Sequence, residues 1–178
     1  MNYGIYLHIH TLEDRTYAFK FKNPFNTDHP MPSELVIINE IIVGYKNLDD
    51  DSEPKIKIIS GENEKEKIQQ FYSFLVKLLS QENKNHFLIG YDIKKFILPT
   101  LLKALLLKYR IVENYNSLPS ILKFKDLKPW DIKNIIDLKE ELSFGAIHVP
   151  FEYVKHYLGF DSNEIEEELD FIIKKLTI

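Results

Sequence analysis

The chain has no cysteine. That excludes disulfides and every thiolate metal site. No apolar run approaches the roughly 20 residues needed to cross a bilayer, and the N-terminus has neither the charged segment nor the small-residue cleavage site of a secretory leader. A cytoplasmic protein without membrane contact is therefore expected. Excess positive charge is missing too. The 23 Lys and Arg against 27 Asp and Glu leave a net charge of -4, so no global basic field draws in nucleic acid. Charge is unevenly spread, however. Lysines and Arg110 outnumber acids between Gly90 and Ile135, whereas Asp49–Glu53 and Asp161–Asp170 are acidic. The basic stretch is a candidate binding face, with an ordinary solvated surface as the plainer alternative.

What is present is an ordinary share of apolar residues, 44% of 178, enough to bury the core of one domain spanning residues 1–178. Tyr3–His10 alternates as a first strand, and Thr16–Lys22 is a candidate hairpin partner. Asn23–Ser33 holds Pro24, Pro30 and Pro32 and reads as a loop. Leu35–Tyr45 is β-branched and nearly continuous, as expected of a strand covered on both sides. A turn at Asp49–Pro54 precedes a short alternating strand, Lys55–Ser60. Ser60 or Gly61 then caps a helix on which Ile68, Phe71, Phe74, Leu75, Leu78 and Leu79 recur at helical spacing. His86–Tyr91 reads as a buried strand. Pro99 stands near the start of the next helix, with Leu101, Leu102, Leu105 and Leu106 on its apolar face. Asn134–Leu138 is a further short strand, and helices near Phe151–Leu158 and Ser162–Leu176 finish an α/β domain.

The first strand carries His8 and His10. Side chains two apart on a strand share a face, so both imidazoles project side by side. His-x-His on a strand suits two ligands of a Zn²⁺-type site, with a third from Asp92, Asp137 or His148. A solvated or hydrogen-bonded pair is the plainer and preferred reading. Lys94 and Lys95, near a helix start, are candidate phosphate contacts, and Tyr91 and Trp130, with Phe96 and Tyr109, candidate base-stacking groups. Exposed lysines and core aromatics are the alternatives. Asp92 is also a candidate helix cap, and Asp137 a candidate turn acceptor. The acidic run Glu164–Asp170 reads as a solvated helix face, with Ile165, Leu169, Ile172 and Ile173 packing inward.

Gly90–Leu101, "GYDIKKFILPTL", resembles the second motif of DEDD-type 3′–5′ exonucleases, in particular those related to the proofreading domain of family-B DNA polymerases. Gly90, Tyr91, Ile93, Phe96 and Pro99 match its pattern. Asp92 stands where Asn is usual, and Ile97 where a metal-binding Asp is usual. Further segments follow in the family's order: Ile41–Tyr45, Ser117–Leu122, Lys128–Asp131, Ile135–Gly145 and Pro150–Phe160. The resemblance runs from about Tyr3 to Phe160. It implies an RNase H-like (DnaQ-like) mixed five-stranded sheet flanked by helices.

The resemblance also puts His8 and His10 where the first motif has Asp and Glu, and Asp170 at the last acid. Such enzymes attack a phosphodiester with water between two Mg²⁺ or Mn²⁺ ions, which want anionic oxygen ligands. Neutral imidazoles and Ile97 do not supply them. The preferred expectation is a catalytically inactive exonuclease-like domain without a cofactor, binding single-stranded DNA or RNA or another partner. Two alternatives stay open: an active 3′–5′ exonuclease using Mg²⁺, Mn²⁺ or Zn²⁺ at a His-containing site, and a protein-interaction scaffold that binds no nucleic acid.

Overall fold

The computed structural model describes residues 1–13, 36–125, 127–128, 131–142 and 149–177. The candidate hairpin Thr16–Lys22, the proline-rich loop Asn23–Ser33, His148 and Trp130 lie outside the described residues. Among the described residues, no helix is long and apolar enough to cross a membrane.

Five strands build one mixed sheet. β1 (Asn2–Glu13), β2 (Val36–Asn47) and β3 (Lys55–Ile59) follow one another antiparallel. α1 (Glu64–Leu79) crosses over to β4 (Asn85–Gly90), which pairs parallel with β1. β5 (Ile135–Asp137) pairs parallel with β4. The order is therefore β3-β2-β1-β4-β5, with β1 at the centre. α2 (Leu98–Lys103) follows a π-helical turn at Ile93–Ile97, with Pro99 in its first turn, and α3 (Leu138–Glu141) follows β5. α4 (Phe151–Tyr157) and α5 (Ile165–Phe171) come last, and a π-helical turn, Ile172–Leu176, extends α5.

The period-2 pattern of β1 divides the core. Ile5, Leu7 and Ile9 pack on one side with Ile68, Phe71 and Leu75 of α1. Tyr6 faces the other side with Ile42, Ile89 and the inward residues of α5, Ile165 and Leu169. β2 is apolar from Ile41 to Val43 because both faces are covered there: Ile41 and Val43 lie in the first cluster and Ile42 in the second. α1 starts later than its glycine suggested. Asn63, not Ser60 or Gly61, is the N-cap, and its side chain accepts the Glu66 N–H at 2.9 Å. An Asn side-chain oxygen satisfies an end N–H of the helix, which glycine cannot do.

Two backbone features shape the end of β1. The β1–β2 register slips between His10 and Thr11, whose partners are Glu40 and Ile38. Such a bulge re-aims side chains. At the end of β4, Gly90 lies so near β1 that a Cβ there would sit 2.7 Å from the Leu7 carbonyl oxygen. The obstacle is backbone and cannot rotate away. Gly90→Ala is expected to destabilise the fold by about 2 kcal/mol, the order of an overpacked core, read as a lower urea midpoint. An unchanged midpoint would mean that β1 and β4 can separate there at little cost.

Candidate functional site

Parallel β1, β4 and β5 present their carboxyl ends on one edge of the sheet, the usual place for ligands in open α/β sheets. A cavity of about 570 Å³ opens there, lined by His8, His10, Thr11, Tyr91, Asp92 and Lys139, with Phe151, Asn163 and Glu168 across from them. β1 supplies the histidines on the face opposite Leu7 and Ile9. α5 supplies Glu168.

Glu168 holds this group together. His8 Nε2 donates to Glu168 Oε1 at 3.1 Å, and His10 Nε2 donates to the same oxygen. The other oxygen, Oε2, accepts from Lys155 Nζ at 2.7 Å. Both members of that last pair are 2% exposed. Asn163 Oδ1 takes a second Lys155 proton at 3.0 Å. On its far side, His10 Nδ1 donates to Glu40 Oε1 at 2.9 Å. Phe151 stands edge-on to the His8 ring with 5.3 Å between centroids.

The electrostatics follow from these contacts. Burial alone would raise the Glu168 carboxyl, but hydrogen bonds from His10, His8 and Lys155 outweigh it and hold the group far below the usual carboxylate range. The Glu168 hydrogen bond raises His10 above the usual histidine value; burial opposes this, and Glu40 adds to it. Two carboxylates face the two ring nitrogens of His10, so both carry protons in this arrangement. His8 Nδ1 is buried and has no hydrogen-bond partner among the described residues.

The sequence did not single out Glu168 or Lys155. Glu168 lies in the acidic run expected to be a solvated face and is the exception in it: Glu164, Glu166 and Glu167 are exposed, whereas Glu168 packs inward with Ile165, Leu169, Ile172 and Ile173. It stands three residues after Ile165 and four before Ile172, on the same helical stripe. An acid on an apolar stripe was the available signal. Asp170, two residues further on, points elsewhere, because two residues turn a helix by about 200°. Its carboxylate pairs with Lys174 at 2.9 Å, beside a different groove lined by Ile56 and Ile58.

The other candidate residues are arranged around the loop after β4. Ile97 is buried in the α1-side core and lines the cavity without a donor atom. Asp92 has a left-handed backbone, φ 60°, and its side chain caps no N–H of the following turn. It lies 3.5 Å from Lys139 Nζ instead. Asp137, buried at the end of β5, accepts from the Asp92 N–H at 2.9 Å, the Lys94 N–H at 3.1 Å and the Lys139 N–H at 3.0 Å. Burial raises its pKa, against the hydrogen bonds from Lys94 and Lys139. Its place is structural: it fixes the loop that carries Asp92.

Lys94 Nζ meets Glu140 at 2.9 Å, whereas Lys95 is exposed. Tyr91 is buried, its hydroxyl donating to the Val149 carbonyl and its ring 5.2 Å from Phe151. Burial pushes that hydroxyl up to about 12, and the Asp92 and Asp137 charges add to the effect.

No protein-family model, curated protein or solved structure matches this chain. What the site can do therefore rests on its own residues. Each carboxylate lining the cavity already faces an ammonium: Glu168 and Glu152 face Lys155, and Asp92 faces Lys139. A pair of hard dications needs several anionic oxygens free to bridge it. This donor set, two imidazoles with one carboxylate beside Ile97, does not fit two Mg²⁺ ions.

Proposed function

We propose that this chain is an RNase H-like domain related to 3′–5′ exonucleases that does not hydrolyse phosphodiesters with two Mg²⁺ ions and instead binds single-stranded nucleic acid. The observation that carries the reading is where the last helix reaches. Glu168 of α5 meets His8 and His10 on the central strand, and the resemblance implies that an acid of the last helix meets the first motif there. A mixed five-stranded sheet with helices on both faces supports the same relationship. The replaced acids and the lysines facing the remaining carboxylates support the loss of hydrolysis.

Nucleic acid as the partner is supported by the lysine-rich stretch from Gly90 to Ile135, in which Lys95, Lys123, Lys125 and Lys133 are exposed. Neutralising phosphates releases counterions, so affinity falls linearly with salt on logarithmic axes. Fluorescence anisotropy of a labelled single-stranded oligonucleotide, titrated at several salt concentrations, is expected to show that dependence. A folded protein that leaves the oligonucleotide unbound even at low salt would reject the nucleic-acid reading and favour a protein-interaction scaffold.

A further inference from the structure

We propose that His8, His10 and Glu168 form a mononuclear site for a borderline transition-metal dication of the Zn²⁺ type. The site goes beyond the nucleic-acid reading, which needs no metal, and stands or falls separately from it.

Convergence is the first argument. His8, His10 and Glu168 each offer one ligand atom, and these atoms lie within 4.8 Å of one another; both Nε2 atoms meet Glu168 Oε1. Bonds of about 2.0–2.2 Å to a tetrahedral ion space its ligand atoms about 3.3–3.5 Å apart. The His8–Glu168 separation of 3.1 Å is already near that spacing. Two imidazoles and one carboxylate are also a known zinc donor set, with the fourth position left to water or another oxygen. Here that position faces the cavity, which Thr11, Asp92 and Lys139 help to line.

The surroundings of the three donors are the second argument. A metal-bound histidine usually donates its other ring N–H to a carboxylate, which fixes the ring and its tautomer. Glu40 does this for His10 Nδ1, at 2.9 Å. Lys155 holds Glu168 Oε2 at 2.7 Å, which leaves Oε1 as a single ligand atom turned toward both rings. His8 differs: its outer nitrogen, Nδ1, is buried and finds no partner among the described residues, so the packing of Phe151 against its ring, rather than an acceptor, orients it. Soft and borderline ions favour imidazole, whereas Mg²⁺ favours oxygen, so the donor set also selects among metals.

Equilibrium dialysis of chelator-treated, full-length protein against Zn²⁺ or Mg²⁺, followed by elemental analysis, tests the proposal. One Zn²⁺ per chain is expected, with Mg²⁺ not retained. Co²⁺ loaded in its place is expected to give the visible bands of a four-coordinate ion. His10→Ala, at a half-buried position, should weaken Zn²⁺ binding more than about 100-fold, and Glu40→Gln, which changes only the orienting partner, about 10-fold to 100-fold. Circular dichroism confirms that both variants are folded. The proposal is overturned if folded wild-type protein retains no Zn²⁺. It is equally overturned if folded His10→Ala binds Zn²⁺ and Co²⁺ as the wild type does, because the ion would then sit elsewhere.

Discussion

Replacing Glu168 with Leu is expected to destabilise the protein by about 3–5 kcal/mol, the loss typical when one partner of a buried ion pair is removed. Lys155 Nζ would keep Asn163 at 3.0 Å and Glu152 at 3.4 Å. Glu152, however, is largely exposed, so its charge is well screened by water. An ammonium would thus be left in an apolar setting between Phe151 and Phe160, whose ring centroids lie 5.6 and 5.9 Å from it. His8 and His10 would lose their common acceptor as well.

The double variant Glu168→Leu/Lys155→Met separates these effects. Removing both charges restores an apolar contact of similar volume, which is often neutral or stabilising. Most of the lost stability should return, leaving the part due to the histidines. Urea unfolding of the wild type, both single variants and the double variant measures the coupling. If the double variant loses as much as the two single variants combined, the pair is not coupled and the cluster is held together in some other way.

Asp137→Ala should be nearly as damaging, at about 3–4 kcal/mol. Three backbone N–H groups, from Asp92, Lys94 and Lys139, converge on this one carboxylate. A buried donor left without a partner costs about 1–3 kcal/mol, and the losses are not fully additive. The same residue sets a pH dependence. Its folded pKa is raised, so over the interval between the ordinary Asp pKa and the folded one the native state holds a proton that the unfolded chain has released. Its contribution to stability therefore declines as pH rises through that interval and is flat above it. Stability curves of the wild type and Asp137→Asn, measured across mildly acidic pH, should differ by this slope. Parallel curves would mean that Asp137 ionises in the fold as it does in the unfolded chain.

The strands were legible because their patterns are local. Alternation in β1 placed His8 and His10 on one face, and the nearly continuous apolar run of β2 signalled cover on both sides. Asp137 was legible as a turn acceptor because Asp at a strand end commonly serves nearby N–H groups. Glu168 and Lys155 were not. Their burial depends on each other across 13 residues, and on imidazoles some 160 residues away in sequence. Composition makes such residues look solvated, since Glu and Lys are almost never fully buried unless paired. The pairing exists only once α4 and α5 fold over β1. Asp170 was the wrong side of α5 for the same reason: helical phase, not proximity in sequence, decides which acid meets the strand.

The proposed function requires that the site around His8, His10 and Glu168 does not hydrolyse phosphodiesters with Mg²⁺ or Mn²⁺. The most direct measurement is the fate of a 5′-labelled single-stranded DNA or RNA incubated with the full chain in each metal separately. The label should stay at full length over times in which an active 3′–5′ exonuclease shortens it completely. Stepwise 3′ shortening that needs the metal and disappears in a folded His8→Ala/His10→Ala variant would contradict the account.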